Sequence, residues 1–278
     1  MIQGKDLNGN VVSLKASHPH QLSLFQTFLP PEDAKYSNTI ELYDAIPKYF
    51  PLKKMDELRV QGKYLDTLTR VFEHRGKEYI VKIRPAMIET EQGEKAFYPS
   101  FREELVEEAI RKIACDRLNG VYLNNFAGVQ FTLYELRKEL SKRGRSKDLA
   151  SLIQSLKICN LSNISVETHD GKVLIQSALF PTIIISSRHE WLKNPKGTRC
   201  YVQFNPLVTA CIDEISFRQY DYGKCMEYKH QLSRWFHKRL SHNYIQASRV
   251  GSVTKIDQGY LMGIEGLIEN PFGNRPSP

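Results

Sequence analysis

From Tyr36 onward the chain alternates between stretches with a strand-like period of two and stretches with helical spacing. Glu78-Tyr-Ile-Val-Lys-Ile-Arg-Pro predicts a strand, and Glu91-Gln-Gly-Glu predicts a hairpin turn after it. Phe101 to Leu118 predicts a helix. Ser100 stands at its N-cap, and Leu105, Val106, Ala109, Ile110 and Ile113 form its buried stripe. Glutamates fill its first half and basic residues its second, an order that suits the helix dipole. The cluster Glu103 to Glu108 is therefore expected on a solvated surface, and Gly120 is expected to end the helix.

A second helix is predicted from Leu133 to Lys142. Thr132 is its cap, and Glu135, three residues on, completes a capping box. Gly144 breaks it. A third helix runs from about Ser146 to Cys159, with Leu149, Leu152, Ile153, Leu156 and Cys159 on one face. Ile164 to Thr168 and Val173 to Gln176, flanking Asp170-Gly171, predict a hairpin. Further strands are expected at Pro181 to Ser186 and Cys200 to Pro206, with a helix at Leu207 to Ile215. A basic helix is predicted from Lys224 to Leu240. Tyr228, Leu232, Trp235, Phe236 and Leu240 face its core, and Lys229, His230, Arg234, Lys238 and Arg239 face outward.

The two ends differ from this middle. Met1 to Lys35 carries few periodic runs and is expected to be a flexible tail, ordered only by a partner. Gln246 to Pro278 is rich in Gly, Asn and Pro and is expected to be poorly ordered.

Charge narrows the function. The net charge is +8 over 278 residues, which favours a polyanionic partner, nucleic acid above all. Between Arg137 and Lys157 there are seven basic and two acidic residues. The cations therefore gather at the turn into the third helix. In a helix-turn-helix the second helix enters the major groove by its N-terminal end, which is where these charges would meet phosphates. Arg143, Arg145 and Lys147 are the candidate phosphate contacts. Ser151 and Gln154 are candidate base readers. From the basic helix, Lys229, Arg234, Lys238 and Arg239 are candidate phosphate contacts as well.

Other chemistry is not written in the chain. No run of about 18 apolar residues is long enough to span a bilayer, and the N-terminus lacks a signal-peptide layout; a cytoplasmic protein is expected. Five cysteines without CxxC spacing give no zinc motif. No Walker, GxSxG or HExxH motif occurs. His18-Pro19-His20 places a proline where a metal-binding strand of a nickase needs an apolar residue. No catalytic residues, metal or cofactor are expected, and the chain is read as a non-enzyme.

Three segments carry a family likeness. Tyr36-Ser-Asn-Thr-Ile-Glu-Leu-Tyr-Asp-Ala-Ile-Pro-Lys-Tyr, the helix–turn–helix–hairpin, and Asn205-Pro-Leu-Val through Leu240 together resemble bacterial plasmid replication initiators of the TrfA/RepA type. The resemblance implies an α+β protein with tandem winged-helix domains behind a flexible N-terminal tail. The boundaries would be 1–35 for the tail, 36–187 for the first domain and 188–278 for a second, shortened one. It also implies binding to repeated double-stranded origin sites (iterons) and recruitment of host replication proteins. Those are the sliding clamp and, as family expectations, the helicase and the host initiator. Members exist as dimers and bind origins as monomers. Gln21-Leu22-Ser23-Leu24-Phe25 resembles the pentapeptide by which such proteins dock on the clamp. Leu24 and Phe25 would fill an apolar pocket at about 1.5–3 kcal/mol each. A winged-helix transcription regulator without a replication role is the alternative reading.

Overall fold

The computed structural model describes residues 2–5, 11–14, 36–91, 93–115, 119–185, 199–213 and 217–242. The fold is α+β. The stretch expected to be a flexible tail contains a hairpin, because β1 (Ile2–Lys5) pairs antiparallel with β2 (Val11–Leu14). The sequence between them holds Asn8-Gly9, a dipeptide favoured in hairpin turns. Gln21 to Phe25 and His18 to His20 lie outside the described residues, as does Gln246 to Pro278.

Two four-stranded antiparallel sheets carry most of the β-structure. In the first, β4 (Leu68–His74) and β5 (Lys77–Arg84) are joined by β10 (Asn163–Thr168) and β11 (Val173–Ala178), in the order β11-β10-β5-β4. In the second, β8 (Gly120–Leu123), β9 (Phe126–Phe131), β12 (Ile183–Ile184) and β13 (Cys200–Gln203) run β12-β13-β9-β8. Gly120 thus opens a strand rather than closing the preceding helix. Two smaller pairs complete the set: β3 (Tyr36–Ile40) with β14 (Phe217–Asp221), and the hairpin of β6 (Ala86–Thr90) with β7 (Gly93–Phe97). Short helices α1 (Glu41–Ala45) and α2 (Leu52–Met55) follow β3, and α6 (Pro206–Asp213) follows β13.

The expected division at 187/188 falls between two paired strands, since Ile183 faces Val202 across β12 and β13. Beyond it, β13 also pairs with β9, and β14 pairs with β3. One apolar core runs from Ile40 through Val129 and Leu156 to Val208 and Met226.

At the centre lies α3 (Phe101–Cys115), packed against β3, β8, β9 and the two helices that follow it. Its apolar stripe is buried as the periodicity predicts. Its charged face is buried too: Glu103, Glu104, Glu107, Glu108 and Arg111 are each 5% exposed or less. A solvated acidic surface is therefore not what forms. Buried charges are tolerated only when paired and hydrogen-bonded, so partners must come from elsewhere in the chain. Arg111 bonds Asp44 at 2.7 Å, Arg234 bonds Glu104 at 2.7 Å, Lys238 bonds Glu108 at 2.7 Å, and Lys48 lies 3.9 Å from Glu107. The Tyr220 hydroxyl donates to Glu108.

These partners reshape the basic helix. Instead of one helix from Lys224 to Leu240 there are two, α7 (Tyr222–Glu227) and α8 (Gln231–His242), with extended backbone at Tyr228 between them. Asp221 caps α7 by accepting from Lys224 N at 2.9 Å. In α8 the face pattern is inverted: Arg234 is fully buried and Lys238 is 6% exposed, while Leu240 is 47% exposed. Glu104 and Glu108 stand one helical turn apart on α3, and Arg234 and Lys238 stand one turn apart on α8. The i, i+4 spacing lets two pairs form side by side. Burial alone would push the Lys238 ammonium down, but the Glu108 and Asp44 carboxylates hold it above its ordinary value. Burial would likewise raise Asp44, yet Arg111, Lys238 and Lys48 keep it well below the usual carboxylate range. No helix among the described residues is long and apolar enough to cross a membrane.

Candidate nucleic-acid interface

The site is built on two helices, α4 (Leu133–Lys142) and α5 (Leu149–Leu161). The capping box read from the sequence is formed. Thr132 Oγ1 accepts from Glu135 N at 3.1 Å, and Glu135 Oε2 accepts from Thr132 N at 2.7 Å. Leu136 and Leu140 anchor α4 in the core, leaving Arg137, Lys138 and Lys142 in solvent. Gly144 then adopts φ +67°, a left-handed conformation that ends the helix within one residue. Arg145 N donates to Leu140 O at 2.9 Å, closing the turn.

The second helix starts at Leu149, where its apolar face begins and three residues after the expected Ser146, because Asp148 is the cap. Asp148 Oδ1 accepts from Ser151 N at 2.6 Å. The first turn of α5 is open, with Asp148, Leu149 and Ala150 exposed. Near the far end Ile158 packs on Ala86, Ile88 and Phe97 of the β6–β7 hairpin. The N-terminal turn of α5 is thus open, while Ile158 near its other end is packed away and Leu161, the last residue, is again exposed. The β10–β11 hairpin follows, with Asp170-Gly171 at its tip as predicted, and the tip exposes His169 and Lys172.

Five of the sequence-assigned residues fall in this region, each with a distinct local role. Arg143 reaches Glu139 at 3.5 Å and lies over the Tyr222 ring at 5.3 Å. Lys147 is half-buried on the turn. The Ser151 hydroxyl donates to Asp148 Oδ2 at 2.9 Å. Gln154 Oε1 accepts from Arg102 Nη1 at 3.1 Å, which fixes its amide and directs its NH2 group away from Arg102. Arg145 points inward across the fold, donating through Nε to Met226 O at 3.2 Å and through Nη2 to Tyr228 O at 2.7 Å.

Of the four residues assigned from the basic helix, Lys229 alone stays exposed. Arg234 and Lys238 are spent on Glu104 and Glu108. Arg239 bonds Glu41 at 2.8 Å, with both side chains under 20% exposed. Assigning phosphate contacts to Arg234, Lys238 and Arg239 is therefore corrected: each cation lies against a carboxylate inside the fold.

No protein-family model matches this chain, and no curated protein matches it in sequence. Its structure partly overlaps RctB domains 2–3. The crystal structure of those domains, RctB residues 155–483, superposes with a TM-score of 0.41 and 10% identity over 82% of this chain and 81% of that one. A selenomethionine derivative of RctB domains 2 and 3 gives a TM-score of 0.42 and 10% identity over 67% and 69%. Overlap of this degree is a likeness in outline, so the site rests on its own residues.

Sequence reasoning missed two exposed cations, Lys172 at the β10–β11 tip and Lys224 on α7, whose Gly223 lies against Arg143. Lys172 was legible, since it directly follows the Asp170-Gly171 turn. Lys224 was not, because its position depends on how α7 packs against the α4–α5 turn. Among the described residues no group of three or more His, Cys, Asp or Glu side chains is arranged to hold a metal.

Proposed function

We propose that this chain is a replication initiator of the plasmid type, binding repeated duplex sites at an origin and recruiting host replication proteins. In this reading the first winged-helix domain, 36–187, carries its helix–turn–helix and hairpin in residues 133–178. α5 is its recognition helix and β10–β11 its wing. One observation supports this above the others: α5 leaves its N-terminal turn open beside Lys142, Arg143 and Lys147, while Ile158, one turn from its other end, is packed on the β6–β7 hairpin. That is the end by which such a helix enters the major groove.

The proposed mechanism has no covalent step. Arg143 and Lys147 hold phosphates, with Lys142, Lys172 and Lys229 adding to them. Ser151 and the Gln154 amide face base edges. The open helix end is also electropositive through the helix dipole, and Asp148, which accepts from Ser151 N, offsets part of that charge. The Gln21-Leu22-Ser23-Leu24-Phe25 peptide would bring the clamp to the origin at micromolar affinity, since ordering the segment takes back part of the burial energy.

Footprinting on DNA flanking the gene tests the reading. Evenly spaced protection at direct repeats is the expected result, with binding that weakens at a log–log salt slope of about −4 to −6. A slope near −1 would refute it. Protection of a single operator, with plasmid maintenance unaffected by loss of the clamp peptide, would favour a transcription regulator. Nicking of supercoiled origin DNA in the presence of a divalent metal would overturn the non-enzymatic mechanism.

A further inference from the structure

The segment made of α7 and its link to α8, residues 222–230, lies directly against the α4–α5 turn. Arg143 stacks over Tyr222, and a Cβ at Gly223 would stand 3.2 Å from Arg143 Nη1. Arg145 bridges two carbonyls of the segment, those of Met226 and Tyr228. The Tyr228 carbonyl accepts twice, because Arg234 Nη1 also donates to it at 3.0 Å. Arg234 is in turn bonded to Glu104 of the central helix. The segment is thus held from both sides, by the turn and by the core. From it, Lys224, Lys229 and His230 project into solvent, against one exposed acid, Glu227.

We infer that Arg145 is a positioning residue that holds Lys224 and Lys229 beside the α4–α5 turn as a second bank of phosphate contacts on duplex DNA. The inference rests on the DNA-binding reading above and changes the role that the sequence alone assigns to Arg145. A guanidinium suits this task. Its planar fork donates two bonds in fixed directions, which a single ammonium does not reproduce. The two lysines have exposed ammonium groups next to an element fixed by backbone hydrogen bonds, so little ordering is needed when phosphates arrive.

The test measures salt dependence of binding to a short mixed-sequence duplex, because phosphate contacts are sequence-independent. Lys224→Ala and Lys229→Ala are each expected to reduce the steepness of the log–log slope by about 0.9, and the pair by about 1.8. Arg145→Ala is expected to reproduce the pair, and adding the two lysine changes to it is expected to shift the slope little further. Arg145→Lys keeps the charge but loses the bridge, and is expected to behave as Arg145→Ala does. The lysine variants touch no core group, so they report even if Arg145→Ala loosens the fold.

Three outcomes would overturn the inference. The lysine pair could leave the slope unchanged. Arg145→Lys could restore wild-type binding, making charge alone sufficient. Or the Arg145 and lysine effects could add in full. If the wild-type chain shows no duplex affinity, the proposed function falls and takes this inference with it. A steep wild-type slope unmoved by the lysine variants removes only the second bank.

Discussion

Replacing Lys238 with methionine tests the logic of the buried charges directly. The ammonium lies 2.7 Å from Glu108 and 3.7 Å from Asp44, and all three side chains are under 10% exposed. Methionine keeps most of the volume and removes the charge. The two carboxylates then keep Arg111, which bonds Asp44 at 2.7 Å but stands 4.0 Å from Glu108, with Lys48 as a more distant cation for Asp44. Breaking a buried pair from one side costs about 3–5 kcal/mol. Arg111 compensates in part, so about 3 kcal/mol is the expected loss, a large share of a typical stability of about 5–15 kcal/mol. Urea unfolding would show a lower midpoint at an unchanged slope. Adding Glu108→Gln should recover part of the loss, since the uncompensated charge goes with it. The pH profile supplies a second reading. Asp44 and Glu108 are held below their ordinary values of 3.8 and 4.5, burial being outweighed by nearby cations. The folded state therefore binds fewer protons than the unfolded state in acid. That stability is fully present above about pH 5 and is lost as pH falls through the ordinary carboxylate range and below. Lys238→Met should flatten this acid limb. A loss under about 1 kcal/mol with an unchanged acid limb would show that these charges do not work as a coupled buried set.

Thr132→Ala removes one half of the capping box on α4 and is expected to lower stability by about 0.5–2 kcal/mol in a thermal melt. Gly128→Ala should cost more, because its Cβ would stand 2.6 Å from the Tyr201 ring and 2.7 Å from the Val202 carbonyl, forcing β9 and β13 apart; poor soluble yield or a sharply lower melting temperature is the readout. Replacing Leu24 and Phe25 with alanine should abolish binding to purified sliding clamp while leaving duplex affinity unchanged, measured by anisotropy on both partners. Neutralising Arg143 and Lys147 together should reduce the steepness of the salt slope by about 2; unchanged affinity would remove the α4–α5 turn from the interface.

Local chemistry was legible in the sequence, and distant pairing was not. Thr132 and Glu135 announce the start of α4 because a capping box is closed within four residues. Asp170-Gly171 announces a hairpin for the same reason. The face of α8 could not be read that way. Periodicity assigns apolar residues to the interior, and by that rule Leu240 should be inside and Lys238 outside. The reverse holds because Glu104 and Glu108, on α3, are themselves enclosed by strands and helices from the whole chain. A carboxylate that cannot reach water selects the cation that reaches it, and here the donors are contributed by a helix 130 residues away. The matching i, i+4 spacings of Glu104/Glu108 and Arg234/Lys238 were the one available signal. The same limit hid the strand pairings across 187/188, since β3 and β14 close on each other from opposite ends of the described core.

The two halves of the physical picture meet at one atom. Tyr228 O accepts from Arg145, on the proposed DNA-binding turn, and from Arg234, inside the charge network. Arg234 cannot turn freely to follow a shift of the turn, because its other amino group is bonded to Glu104 and its guanidinium lies 4.1 Å from the centre of the Phe101 ring. A carbonyl held by two fixed guanidinium donors is itself fixed, and with it the backbone that carries Lys224 and Lys229. The buried charges thereby do more than tolerate their own desolvation. Replacing them with apolar residues of the same volume could preserve stability, yet it would free Tyr228 on the core side and leave Arg145 as its side-chain donor among the described residues. Stability and the geometry of the basic surface are separable in this fold, and Arg234 is the residue through which they would come apart.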